Sequence, residues 1–423
     1  MTRTAHTVFG FLAMQVVGTA QGGPEPDQLA AVYIEAFNAK NASRFAALFA
    51  EGRTGQAIDE LDAHLCHVPG WLAGHATLSR LRWMSGDHDG FAASFDRALG
   101  VAPGEPALWL QLAAILMEAN LFDRALDTLG LARAAAGTNP GFDATEAACL
   151  TEKGELEKAD QLFVRLGAPS DAESAAARAR HLLKAGRPAE AGMLAEAWQG
   201  RDPGHLLWPY AALAWRLTGD PRWEWLEGDD RFIGIYDIAD KVGPLDRLAD
   251  RLRSLHLATH QPLEQSVRGG TQTDGPLFAR VDPEIRALRQ AIVETVRTHV
   301  AQLPAPDPSH PLLGCPRDPI RFSGSWSVRL SGQGRHVNHV HPAGWISSAF
   351  YVALPDEIGA EGPAGWLTLG EAGELGLDLP PIRLVQPRPG RLVLFPSTLW
   401  HGTRPFEAGE RLTVAFDVAR PFQ

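Results

Sequence analysis

Arg335-His336-Val337-Asn338-His339-Val340-His341-Pro342, read together with Leu399-Trp400-His401 and Glu410-Arg411-Leu412-Thr413-Val414, decides how the chain is understood. An extended strand puts alternate side chains on one side, so His339 and His341 can hold one ion between them. Neutral imidazole suits Fe, Zn, Cu or Ni. His401 comes from a distant strand as a further ligand and leaves coordination positions open. Arg411 and Thr413 share a strand face by the same period of two, and a guanidinium with a hydroxyl can grip a carboxylate by charge-assisted hydrogen bonds. A metal at one end and an arginine at the other suit a ligand that chelates with one carboxylate and is held by its second. The bland alternative for Arg411 is a structural ion pair with Glu410 or Asp417. His336 stands at an odd offset from His339, which points it to the opposite face of an extended strand.

Around these residues the chain resembles the double-stranded β-helix oxygenases that use Fe(II) and 2-oxoglutarate. The resemblance runs through Gly324-Ser325-Trp326-Ser327-Val328, the His339-x-His341 pair, Trp345 to Val352, Pro389 to Ser397, His401 and Arg411-x-Thr413. It implies Fe(II) on His339, His401 and either His341 or water, with 2-oxoglutarate as cosubstrate, O2 as oxidant and hydroxylation as the outcome. It also implies Arg411 and Thr413 as the clamp on the far carboxylate. The common pattern in that superfamily is His-x-Asp/Glu followed by a distal His. Here His341 fills the carboxylate slot. The aspartyl/asparaginyl β-hydroxylase branch, which this chain distantly resembles, also lacks that carboxylate. Ser327, Ser348 and Tyr351 are further candidates for cosubstrate contact, against the alternative that their hydroxyls are satisfied within the barrel.

Working outward, the 423 residues allow two to three domains. A net charge of −11 argues against a nucleic-acid or anionic-membrane partner held by bulk electrostatics. Cys66, Cys149 and Cys315 form neither a disulfide framework nor a zinc knuckle, which points to a reducing cytoplasm. The apolar stretch Val8 to Val17, ending near Gly18-Thr19-Ala20, carries the alternative of export. No downstream segment is long and apolar enough to span a bilayer.

Across 51–220 small residues recur at a near-constant interval as Gly52, Gly86, Asn120, Gly154, Gly186 and Gly219, and prolines close units at Pro69, Pro103, Pro140 and Pro203. Ala57, Leu61, Phe95, Ala98, Ala125, Leu129, Ala159 and Phe163 mark recurrent packing positions. This resembles tetratricopeptide (TPR) repeats, whose stacked helix pairs leave a groove suited to a peptide or protein. The expected architecture is therefore α+β and multidomain: a leading segment over 1–50, a TPR-like solenoid over 51–220, a helical connector with a polar glycine-rich loop over 221–281, and a double-stranded β-helix of jelly-roll or cupin type over 282–423. Asp282-Pro283 opens an amphipathic helix to about Leu303, and strands are expected over 320–330, 345–354, 366–369, 383–386, 391–395 and 411–418. The function expected is hydroxylation of a peptide or protein side chain presented by the repeats. Alternatives are a small-molecule oxygenase with a repeat scaffold, a metal-binding cupin without catalysis joined to an interaction module, and a repeat adaptor with a degenerate barrel.

Overall fold

The computed structural model describes residues 51–423 apart from 264–265, 357, 359–361 and 421–423, together with 44, 45, 48 and 49. The N-terminal apolar stretch lies outside the described residues. The chain divides into two compact units, so the repeat array expected over 51–220 is shared between them.

The first unit holds α1 (Thr54–His67), α2 (Leu72–Met84), α3 (Ala93–Val101), α4 (Pro106–Glu118), α5 (Phe122–Ala136), α6 (Pro140–Lys153) and α7 (Leu156–Leu166). Gly52, Gly86, Asn120 and Gly154 adopt φ of 75, 93, 58 and 85°, the left-handed turn that ends one helix and starts its partner. Alanine positions such as Ala98, Ala125 and Ala132 are buried in one cluster with Phe95 and Phe142, where a small side chain lets helices approach closely.

The second unit begins with α8 (Ala172–Lys184), α9 (Pro188–Trp198), α10 (Trp208–Thr218) and α11 (Arg222–Glu227), with Gly186 and Gly219 in the same left-handed turn at φ 71 and 69°. It continues through β1 (Gly234–Asp237), α12 (Ala239–Val242), α13 (Leu245–Arg253), β2 (Val267–Gln272), α14 (Pro283–Gln302), β3 (Phe322–His336), β4 (Gly344–Ala353), β5 (Leu367–Leu369), β6 (Arg383–Val385), β7 (Arg391–Pro396), β8 (His401–Thr403) and β9 (Arg411–Ala419). Antiparallel pairing gives a six-stranded sheet in the order β1-β7-β4-β9-β3-β2 and a three-stranded sheet in the order β6-β5-β8. These sheets form the antiparallel oxygenase-type domain anticipated for the C-terminal region, preceded by helices.

The alternation of β9 positions the site. Leu412, Val414, Phe416 and Val418 enter the core with Ile285, Leu288, Ile292 and Val296 of α14, while Arg411, Thr413, Ala415 and Asp417 line a cavity. Asp282 does not cap α14 with its side chain; its carboxylate meets Arg251 at 2.6 Å and Arg280 at 3.0 Å.

Three strands escape the sequence reading. The stretch read as a polar glycine-rich loop contains β2, paired with β3. Strand pairing is made by backbone groups, so scarcity of side chains does not prevent it. The register shifts between Arg268 and Gly270, with Gly269 at φ 67°, and a Cβ on Gly270 would stand 2.5 Å from the Arg329 carbonyl oxygen. Glycine permits this bulge. β1 and β8 are too short to show a pattern.

Candidate metal centre and anion pocket

The three rings expected to meet do so. His339 follows the end of β3, and its backbone pairs with His401 through N–H to O contacts of 2.9 and 3.0 Å, so the two residues are locked across the barrel. Ring centroids stand 4.1 Å apart for His339 and His401, 4.9 Å for His339 and His341, and 5.3 Å for His341 and His401. One ligand atom from each falls within 4.8 Å of the others.

Their hydrogen bonds set which nitrogen faces the centre. His339 Nδ1 lies 2.8 Å from the Val337 carbonyl oxygen and His401 Nδ1 lies 2.9 Å from that of Leu399. A carbonyl only accepts, so each Nδ1 carries the proton and each Nε2 keeps a lone pair. His341 Nδ1 faces Asp417 Oδ2 at 3.0 Å, which leaves its Nε2 as the third donor. Burial pushes the His339 imidazole down to about 3 and that of His401 well below the usual range, and the neighbouring histidines add to both shifts. Burial alone would lower His341 as well, but the charge and hydrogen bond of Asp417 outweigh it and raise that ring.

The Arg411 side chain, 2% exposed, enters the same cavity, which measures about 580 Å3 with the open space at its mouth included. Its guanidinium lies 5.1 Å from the centroid of the Tyr351 ring. Nε has no partner, and among the described residues no carboxylate pairs with this cation. The ion pairs suggested as alternatives are taken up elsewhere: Glu410 joins Arg253 at 2.8 Å and Arg329 at 2.5 Å, and Asp417 joins His341. A buried guanidinium without a counter-ion is costly, and an anion entering the cavity would offset that cost.

The remaining candidates divide. Thr413 lines the cavity with its hydroxyl 3.4 Å from the Val328 carbonyl. Ser348 also lines it, yet its hydroxyl both donates to the Phe416 carbonyl and accepts the Phe416 N–H, each at 2.9 Å. The structure does not bring Ser327 to the cavity, since its hydroxyl donates to the Thr413 carbonyl at 3.0 Å and meets His256 Nε2 at 3.1 Å. The Tyr351 hydroxyl is buried beside Arg411, whose charge opposes the upward push of burial on the phenol.

The sequence reading placed His336 on the far face, but it lines the cavity and stacks on His339 at 5.9 Å. The offset rule holds only within a continuous strand, and β3 ends at His336. Ser266, missed because its segment was read as a loop, places its hydroxyl 3.2 Å from His339 Nε2 and 2.9 Å from His336 Nδ1. Asp417 was also missed. Its signal was available, because it lies six residues from Arg411 on the same face of β9.

Residues 324–417 match the family model described as "Putative 2OG-Fe(II) oxygenase". This region is a 2OG-Fe(II) oxygenase domain. No curated protein matches the chain. Among solved structures, a prolyl-4-hydroxylase from Pseudomonas putida shares 17% identity at a TM-score of 0.30, covering 45% of this chain and 94% of that one. A thermophilic TPR protein from Thermus thermophilus shares 18% at a TM-score of 0.32, covering 41% and 97%. HygX from Streptomyces hygroscopicus, with nickel and 2-oxoglutarate bound, shares 12% at a TM-score of 0.30, covering 45% and 84%. The oxygenase domain makes the protein an oxidoreductase, with Fe(II) and 2-oxoglutarate as cofactor and cosubstrate. Three imidazoles that present Nε2, and an uncompensated guanidinium in the same cavity, fit those two groups chemically. Among the described residues no helix is long and apolar enough to cross a membrane.

Proposed function

We propose that the protein hydroxylates a peptide or protein side chain, with His339, His341 and His401 holding Fe(II) and Arg411 with Thr413 holding the far carboxylate of 2-oxoglutarate. The observation that carries this reading is the meeting of three imidazole donors and one buried guanidinium without a carboxylate partner among the described residues, in a single cavity. When bound, Fe(II) with 2-oxoglutarate and O2 supplies the oxidising power that converts a C–H bond to C–OH, with succinate and carbon dioxide as coproducts.

The chain's own contribution is binding, orientation and exclusion of water. Backbone carbonyls of Val337 and Leu399 hold two rings in the ligating tautomer. Arg411 orients the cosubstrate by its charge and its planar fork. Phe395, tilted against His401 at 4.7 Å, and Trp326, stacked 5.8 Å from His341, keep the ligand side chains in place and shield the cavity from solvent. The TPR-like helices support a peptide or protein as substrate, since such arrays present extended surfaces to other chains.

The reading is tested by anaerobic titration of Fe(II) in the presence of 2-oxoglutarate, following the weak visible absorption that chelation produces. The wild type is expected to develop the band and His401→Ala to lose it with the metal. Arg411→Ala is expected to keep metal binding while weakening 2-oxoglutarate about 100-fold, by roughly 3 kcal/mol, as for loss of one partner of a buried charge pair. A wild type that binds Fe(II) but shows no cosubstrate-dependent band would end the oxygenase reading.

A further inference from the structure

His-x-His differs from His-x-Asp/Glu by one negative charge at the metal. Three neutral imidazoles leave a dication uncompensated, where a carboxylate ligand would halve its charge. A carboxylate nonetheless stands one hydrogen bond behind the ring that replaces it. Asp417, 3% exposed, has its Oδ2 3.0 Å from His341 Nδ1, and among the described residues this is its sole ion-pairing contact.

The surroundings hold that carboxylate in one orientation. Asp417 stands opposite Ser347 in the register of β4 and β9, and its Oδ1 accepts the Ser347 hydroxyl at 2.6 Å. With its own proton committed there, Ser347 accepts from the Ser397 hydroxyl at 2.9 Å. Ser397 closes the circuit, because its carbonyl accepts the His341 backbone N–H at 2.9 Å. Backbone and ring of His341 are therefore tied to the same three residues.

We propose that Asp417 is a positioning residue of the metal centre, holding His341 with Nε2 toward the ion and returning, through the imidazole, the negative charge that His-x-His omits. The inference rests on the metal assignment made above. Loss of such a carboxylate behind a ligating histidine typically weakens metal binding about 10–100-fold. Ser347 and Ser397 serve it by fixing the carboxylate plane.

The test is a double-mutant cycle read by Co(II) affinity and the visible Co(II) spectrum under anaerobic conditions, with folding of each metal-free variant checked by circular dichroism. Asp417→Asn is expected to weaken Co(II) by about 10–100-fold, and His341→Gln by a similar amount. Because Asp417 acts through His341, the double variant is expected to bind no more weakly than His341→Gln alone. Losses that add in full, or wild-type affinity in Asp417→Asn, overturn the proposal. Should Asp417→Asn fail to fold, Ser347→Ala keeps the carboxylate but frees it to turn, and a several-fold loss of affinity is expected; wild-type affinity there overturns the proposal too. His401→Ala separates the two levels. Unchanged Co(II) binding in that variant sinks the metal centre itself, whereas its loss alongside an unaffected Asp417→Asn sinks the positioning role alone.

Discussion

Helices α1–α7 and helices α8–α10 carry the same turn signature and do different work. In both, a left-handed residue recurs at the repeat interval, from Gly52 to Gly154 in one and at Gly186 and Gly219 in the other. The first set buries its apolar faces within its own unit, around Phe95, Trp109 and Phe142. The second shares a core with the oxygenase domain: Ala175, Ala179, Leu183, Tyr210 and Trp215 enclose Val340 and Trp400. Val340 stands between His339 and His341, and Trp400 immediately precedes His401. By alternation, the histidines face the cavity while their neighbours are anchored among helices. The Trp400 indole N–H donates to the Pro209 carbonyl at 3.1 Å, and Arg216 donates to the carbonyls of Gly370 and Pro380. A repeat signature thus specifies a local turn and leaves open what the helices pack against.

The widest gap between the two sets should appear on truncation. A chain starting at Gly167 is expected to fold and bind Co(II) with wild-type affinity, whereas one starting at Pro221 strips the cover from Val340 and Trp400 and is expected to aggregate or lose metal binding altogether. Isothermal titration of the two purified chains decides this, and equal binding by both would erase the distinction.

Single truncations of large side chains sharpen it. Trp400→Ala and Phe142→Ala each remove a buried aromatic and are each expected to cost about 3–5 kcal/mol in their own unit. Only the first should also weaken the metal. Denaturant unfolding with Co(II) titration on both variants would expose a shared effect.

Acid comes next: it reaches His75 in the first unit, which burial also holds down, but the second unit carries more such rings. His299, 1% exposed and held down to about 4 by burial, and His339, at about 3, are neutral in the folded second unit. Their folded pKa values lie below the unfolded value near 6.5, so the unfolded chain takes up protons first as pH falls. The stability is complete above about pH 6.5 and is lost by about 1.4 kcal/mol per pH unit for each ring between there and the folded value. Melting of the metal-free protein from pH 7.5 to 5 should therefore move the second unit's transition downward. A transition that rises on acidification would contradict the buried neutral rings.

The smallest effect concerns the turns that both sets share. Gly154→Ala and Gly186→Ala add a Cβ in open space, so only the left-handed backbone resists it, at about 1–2 kcal/mol. Comparable losses in the two units would confirm that the turn is local, and metal affinity should be unchanged in both.

The readable parts of the site were those governed by period and ligand chemistry. His339-x-His341 and Arg411-x-Thr413 each declare a shared face within three residues, and His401 could be added because imidazole in such company is chemically distinctive. Asp417 obeys the same period as Arg411, but the period shows only the face it lies on and not that it meets His341. Ser266 was hidden by its glycine-rich neighbours, and His336 was misplaced because the end of β3 cannot be located from alternation alone.

By itself the sequence determined local quantities: helix pairs with left-handed turns at a steady interval, the amphipathic helix α14, alternating strands, and which side chains could ligate or clamp. The tertiary structure decided what those faces meet. It drew α8–α10 into the oxygenase core, formed β2 and β8 from segments without a pattern of their own, and set Asp417 behind His341. The physical reason is that periodicity reports direction from the backbone at close range, whereas partners distant in sequence are chosen by packing and by the pairing of buried charges, and no short stretch of residues encodes either.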